Sequence, residues 1–292
     1  MKAVNINPAI KSIKLTNRVK LQYVEQGDPA GIPVIMLHGI TDSWHSFEPV
    51  LPHLPASIRA FALSQRGHGD SERPAVGYHP RDFAADVAAF MDAMKLDRAV
   101  IAGHSMGSHI TKRFALDYPD RVLGLVLMAA FFSFQGNPGV AELRDAVSKF
   151  SDPIDPGFAL EFQLSTLARE IPQELLDTFV RESLKAPARV WRDALEGLRQ
   201  DDHSAELSGI KAPTLIVWGD QDAFCPRKDQ DALAAAIAGS KLLVYHGVGH
   251  ALHWEEPERF AADLVHGLLV MVSSNHRQKV AIGRTTSPAP FW

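Results

Sequence analysis

Short apolar runs recur along this chain, and between most of them lie stretches with the periodicity of amphipathic helices. Lys11 to Leu15 and Val19 to Gln26 are strand-like and read as a pair, joined by the polar turn Thr16-Asn17-Arg18. The runs that follow are Pro33 to Leu37, Ala60 to Leu63, Ala99 to Ala102, Val122 to Ala129, Thr214 to Trp218 and Lys241 to Tyr245. Continuous apolar runs of this length suit strands buried on both faces, as in a parallel sheet. Phe83 to Met94 puts Phe83, Val87, Phe90, Met91 and Met94 on one helical face, and Met106 to Asp117 is a second helical stretch. The alternation predicts an α/β fold, a mostly parallel central sheet with helices on both faces.

That alternation stops between Phe131 and Ile210, where apolar positions such as Leu143, Val147, Phe158, Phe162, Leu176 and Trp191 follow helical spacing with no strand among them. Pro153, Pro156, Pro172 and Pro187 punctuate the stretch where they can begin or separate helices. The expected organisation is an α/β core from 1–130 and 211–272, an all-helical cap over 131–210 laid across the end of the sheet, and a polar C-terminal tail at 273–292.

Composition narrows the classes of function. The chain has 292 residues, 46 % of them hydrophobic, which suits one large domain with a sub-domain and excludes a largely disordered chain. With 30 basic against 34 acidic residues the net charge is −4, so no electrostatic case exists for nucleic acid or an anionic membrane as partner. The longest apolar run, Val122 to Phe132, is too short to span a bilayer, and the N-terminus lacks the pattern of a signal peptide. Cys225 is the single cysteine, which excludes an intrachain disulfide and fits a reducing compartment. The expected location is the cytoplasm.

The sharpest chemical signal is Gly103-His104-Ser105-Met106-Gly107, directly after one strand and before a helix. A serine nucleophile needs a sharp strand-to-helix turn with glycines two residues to either side, and the next backbone N–H, that of Met106, then faces a developing oxyanion. Ser105 could instead simply cap the helix. Leu37-His38-Gly39-Ile40 ends another strand, and its turn can bring the Ile40 N–H to the same place; in isolation it reads as a plain strand-to-loop turn. Gly219-Asp220-Gln221-Asp222 sets carboxylates past a strand end, where one can orient a histidine or merely be solvated. His250, on the glycine-rich loop Gly247 to His253, can reach a serine, although most of the 13 histidines must be structural or exposed. A metal site of His246, His250 and His253 is disfavoured, because Gly247 and Gly249 argue against the helix that would align them. Gly67-His68-Gly69 lacks the further signals of a phosphate loop and reads as a tight turn.

The order Ser105, Asp222, His250 resembles that of α/β-hydrolases, as do LHGITDSW, SQRGHGDS, GHSMG, WGDQD and GVGHALHWEEPERF in this sequence, over about residues 10–272. The chain is most similar to capped esterases, lactonases, cofactor-free haloperoxidases and carbon–carbon bond hydrolases. The resemblance implies Ser105 as nucleophile, His250 as general base and acid, Asp222 as its orienting carboxylate, and Ile40 and Met106 as oxyanion-hole donors. No organic or metal cofactor is implied. Relatives often carry aspartate where this chain has Ser64, a departure at a turn. The expected activity is hydrolysis of a small apolar ester or lactone with water as co-substrate; carbon–carbon hydrolysis or perhydrolysis with the same triad, and a small-molecule receptor of the same fold, are the alternatives. Trp191 in the cap is a candidate substrate-pocket residue.

Overall fold

The computed structural model describes residues 9–269. Eight strands form one sheet: β1 (Ile10–Lys14), β2 (Lys20–Gln26), β3 (Ile32–Leu37), β4 (Ile58–Ser64), β5 (Ala99–His104), β6 (Val122–Met128), β7 (Thr214–Gly219) and β8 (Lys241–Tyr245). Their order across the sheet is β1-β2-β4-β3-β5-β6-β7-β8. β1 and β2 pair antiparallel with each other, as do β2 and β4, while every pair from β4 to β8 is parallel.

The strand sequences explain this burial. Ile35, Leu37, Ile101 and Leu127 pack into one apolar cluster, whereas Val34, Met36, Val100 and Val126 pack into another. Successive side chains of a strand point to opposite faces, so a continuous apolar run supplies both layers at once. The observed strands run one or two residues past several of the apolar runs; β5, for example, continues to His104. Backbone pairing with the neighbouring strand, invisible to hydropathy, carries those extra residues.

Two helices cover one face of the central strands. α1 (Pro80–Ala93) starts three residues before the apolar face predicted for it, because Pro80 fits the first turn and the Asp82 carboxylate accepts from the His79 N–H. Its Phe83, Val87, Phe90 and Met91 are buried. α2 (Met106–Asp117) follows β5 directly.

Between β6 and β7 stand α3 (Pro138–Val147), α4 (Pro156–Ser165), α5 (Gln173–Lys185) and α6 (Ala188–Gln200), with a 3₁₀ turn at Ser204–Gly209 and no strand. Pro138 and Pro156 occupy first turns capped by Asn137 and Asp155, whose side chains accept from the Val140 and Phe158 N–H groups. Pro172 and Pro187 are the residues immediately before α5 and α6. α7 (Arg227–Ala236) lies between β7 and β8; the short α8 (Leu252–Glu255) and a helical run over 257–269 close the described chain. No helix among the described residues is long and apolar enough to cross a membrane. The segment 273–292, read as a polar tail, lies outside the described residues.

Because β3, β5, β6, β7 and β8 are mutually parallel, the loops after them emerge at one edge of the sheet. Ligands of open α/β sheets bind at this carboxyl edge.

Candidate active site

Ser105 stands at the junction of β5 and α2 with φ 52° and ψ −113°, a left-handed backbone that a non-glycine residue rarely adopts. The turn survives because its neighbours have no side chains: a Cβ on Gly103 would lie 2.1 Å from the Gly107 carbonyl oxygen, and one on Gly107 would lie 2.1 Å from that of Leu37. The Ser105 N–H donates to the Met128 carbonyl (3.0 Å), which ties the turn to the end of β6. Its hydroxyl makes no capping hydrogen bond to α2, so the helix-cap alternative does not describe this serine.

His250 and Asp222 arrive from the loops after β8 and β7. His250 Nδ1 lies 2.9 and 3.0 Å from the two Asp222 carboxylate oxygens, and both side chains are buried. The same carboxylate accepts from the Phe224 and Cys225 N–H groups at 2.8 and 2.9 Å, which holds it still. Asp220 is engaged elsewhere. It accepts from His246 Nδ1 (2.8 Å) and the Gly247 N–H (2.7 Å), and these hydrogen bonds draw its pKa down to about 2. Two carboxylates two residues apart therefore hold different histidines.

The loop after β3 is shaped by His38. Its Nε2 accepts from the Gln65 N–H (3.0 Å), and its Nδ1 lies 2.7 Å from the Gly39 carbonyl. Burial holds the His38 pKa well below its ordinary value, so the ring is a neutral strut with Nδ1 protonated. Ser64, at the end of β4, accepts from the Trp44 N–H and donates to Gln22, bracing the same region. Among the described residues, neither the Ile40 nor the Met106 N–H donates to a protein acceptor. Both residues line one cavity with Ser105 and His250. The Met106 donor also sits at the positive end of α2.

That cavity is otherwise walled mainly by apolar groups, among them Phe131, Phe134, Leu143, Phe162, Leu195, Leu198 and Phe224. Trp191, the sequence candidate for a pocket wall, is not one of them. It is fully buried, its ring meeting Phe150, Phe158 and Phe162 at centroid distances of 5.7, 6.0 and 5.4 Å. The indole knits α4 and α6 together and stands behind Phe162; Leu195 and Leu198, one and two turns farther along α6, face the cavity instead.

A second, small recess adjoins Ser105 and His250; Asp42, His104, Gln163 and Thr166 line it together with Phe162 and Trp254. The sequence reading gave these four no role. Burial pushes the Asp42 carboxyl up to about 7, against hydrogen bonds from Gln163 and Ser46 that favour its ionised form. His104 Nε2 lies 3.1 Å from the His250 carbonyl, and burial next to His253 and His250 keeps His104 neutral. Asp42 was visible only as a polar residue three positions past the His38-Gly39 turn; Gln163 carried no local signal, since it acts from α4.

Asp222, Cys225 and His250 offer ligand atoms within 4.8 Å of one another. Their chemistry fits a hydrogen-bonded cluster better than a cation site. Burial raises the Cys225 thiol pKa well above its usual value, its Sγ donates to the Ala129 carbonyl (3.2 Å), and the carboxylate already accepts three protein donors. His246 pairs with Asp220 at the surface and His253 lies 3.0 Å from the buried Ser46 hydroxyl, so neither converges on His250.

Residues 32–257 match the family described as alpha/beta hydrolase fold. A 2-hydroxymuconate semialdehyde hydrolase of Pseudomonas sp. is 31 % identical over 252 residues, 80 % of this chain and 85 % of that protein. A non-heme chloroperoxidase of Streptomyces lividans is 26 % identical over 87 % of this chain and 98 % of its own. Among solved structures, an esterase from Exiguobacterium antarcticum superposes with a TM-score of 0.80 at 28 % identity, covering 88 % of this chain and 98 % of that one.

Proposed function

The chain belongs to the alpha/beta hydrolase fold family, and from that footing we propose that it is a serine hydrolase cleaving a small, neutral, apolar carboxylic ester or lactone through an acyl-enzyme on Ser105. In this reading Ser105 Oγ attacks the carbonyl while His250 takes its proton. Asp222 keeps His250 Nδ1 protonated and so leaves Nε2 as the acceptor. The oxyanion is held by the Ile40 and Met106 N–H groups, His250 returns the proton to the leaving alcohol, and water then releases the acid. Segment 131–210 acts as a cap whose α4 and α6 supply pocket walls to the core of 1–130 and 211–272.

The observation that carries the reading is the apolar cavity lined by Ser105 and His250, with the uncommitted N–H donors of Ile40 and Met106, two further lining residues. The cavity also weighs between substrate classes. The substrate named for the Pseudomonas relative bears a carboxylate, yet among the described residues no lysine or arginine lines this cavity. Burying an unpaired carboxylate there would be costly. A neutral acyl group meets no such penalty, which favours ester or lactone over a dienoate acid. The single thiol, buried at Cys225, accords with a cytoplasmic setting.

Turnover of p-nitrophenyl acetate, butyrate and octanoate, measured beside a neutral aliphatic lactone and an anionic ring-cleavage dienoate, tests the proposal. Rapid multiple turnover of the neutral substrates, and little of the anion, is expected. Preference for the dienoate would move the assignment to carbon–carbon hydrolysis, and binding with a single slow turnover would move it to a receptor.

A further inference from the structure

Gln163 reaches from α4 into the polar recess and is 1 % exposed. Its Nε2 donates to the Asp42 carboxylate (3.1 Å) and to the Ser183 hydroxyl (2.7 Å), so both amide hydrogens are used. Ser183 in turn lies 3.1 Å from the Thr41 hydroxyl, beside the Ile40 turn. With Asp42 ionised, its carboxylate requires the amide N–H₂ and leaves Oε1 buried without a donor among the described residues. His104 Nδ1 is in the same condition. Its Nε2 bonds a carbonyl and must carry the proton, so Nδ1 is an acceptor too. Both residues line the recess next to Ser105 and His250, a space that takes roughly one water-sized molecule. A buried acceptor left unsatisfied is costly, and the economical explanation is a ligand that brings O–H donors.

We propose that this recess seats the nucleophile of the second half-reaction, and that Gln163 positions it and selects water over alcohols. The inference rests on the acyl-enzyme reading above. In the step, one water O–H points to His250 Nε2 and the other to Gln163 Oε1. The water oxygen bonds to the acyl carbon as its first proton passes to His250. The tetrahedral adduct then collapses, the bond from carbon to Ser105 Oγ breaks, and His250 returns the proton to Oγ. The second O–H remains with the product as the hydroxyl of the free acid. An alcohol has one O–H, which His250 needs; its alkyl group would face Gln163 Oε1 and leave that acceptor unpaired. A site built to hydrogen-bond a donor rejects an analogue that lacks it.

The test follows p-nitrophenyl butyrate through a single turnover, reading acylation from nitrophenolate release and deacylation from the decay of butyryl-enzyme mass. The products are partitioned between butyrate and methyl butyrate in dilute methanol. For Gln163→Met, acylation should stay within about threefold of wild type, deacylation should fall at least about tenfold, and the methanolysis-to-hydrolysis ratio should rise at least about tenfold. Gln163→Leu serves as the second variant. Rate constants and product ratios come from active molecules alone, so a partly folded preparation still reports. An unchanged product ratio, or an equal fall in both rate constants, overturns the role of Gln163 while leaving the acyl-enzyme intact. Failure of the wild type to form butyryl-Ser105 would instead overturn the acyl-enzyme reading and this inference with it.

Discussion

The two spaces that meet at Ser105 share Ile40, Phe162, Thr166 and His250 but differ in what else lines them. The larger is walled chiefly by phenylalanine and leucine side chains from α3, α4, α6 and the loops after β6 and β7. The smaller adds the polar side chains of Asp42, His104 and Gln163, together with Trp254. The apolar space gains from excluding water, and in it the Ile40 and Met106 N–H groups would act on an oxyanion with little competition. The polar space costs stability: it holds a carboxyl that burial has pushed to about 7 and two acceptors without donors. A fold selected for stability alone would have filled that recess with apolar groups.

The largest effect should come where the spaces join. Ser105→Ala should lower turnover of a p-nitrophenyl ester by about 10⁶-fold, the scale of nucleophile loss in a comparable triad, with the melting temperature little changed. Activity surviving this change would mean that the two spaces do not share a reacting atom at Ser105. Next, Asp222→Asn should cost about 10⁴-fold, because His250 can then settle in the wrong tautomer. Asp220→Asn should leave turnover within a few-fold, since its hydrogen bonds serve His246 and Gly247. Kinetics of the two variants side by side decide which carboxylate serves the site, and the reverse pattern would reassign the acid.

The apolar space can be sharpened by two substitutions on α6. Leu198→Ala enlarges a lining position and should shift the preferred acyl chain toward longer esters by about 10-fold per added methylene accommodated, read as kcat/KM across a chain-length series. Trp191→Ala removes an indole locked among three phenylalanines and should lower stability by about 3–5 kcal/mol in denaturant unfolding, with the chain-length preference kept. A large change of preference in the Trp191 variant would make it part of the wall after all.

The polar space should leave a mark on stability against pH. Asp42 titrates near 7 in the folded protein and near 3.8 when unfolded. Both states are neutral well below pH 3.8; as pH rises through that value toward 7 the unfolded carboxyl ionises and the folded one does not, so folding stability falls by on the order of a few kcal/mol. Asp42→Asn lacks this loss. Burial lowers His253 to about 3 and His68 to about 4, so these rings oppose it by costing stability as pH falls below 6.5, equally in both proteins. The melting temperature of the variant relative to wild type should therefore rise between pH 4.5 and 7.5. A constant difference over that range would mean that Asp42 is not desolvated.

How much of this could be read from the residue order depends on the range over which each feature acts. The strands were legible because their apolar runs are local, and the helices of 131–210 because proline and periodicity mark their starts. Gly103 and Gly107 framed the Ser105 turn, a constraint written within five residues. The choice of Asp222 over Asp220 rested on its place two residues farther along the loop together with the family resemblance; the 28 residues between it and His250 leave the loop path itself unwritten locally. Trp191 misled, since hydrophobicity marks burial without saying whether a side chain faces a cavity or a neighbour. Gln163 was illegible for the complementary reason: its partners Asp42 and Ser183 lie on other elements, 121 and 20 residues away.

The central claim is that Ser105 carries the acyl group between the two spaces. Mass spectrometry of the protein acid-quenched during turnover of p-nitrophenyl butyrate tests it directly. The account requires a butyryl adduct on the peptide containing Ser105, absent from Ser105→Ala. A butyryl group on any other residue, or full turnover by a protein that never gains the adduct, would contradict it.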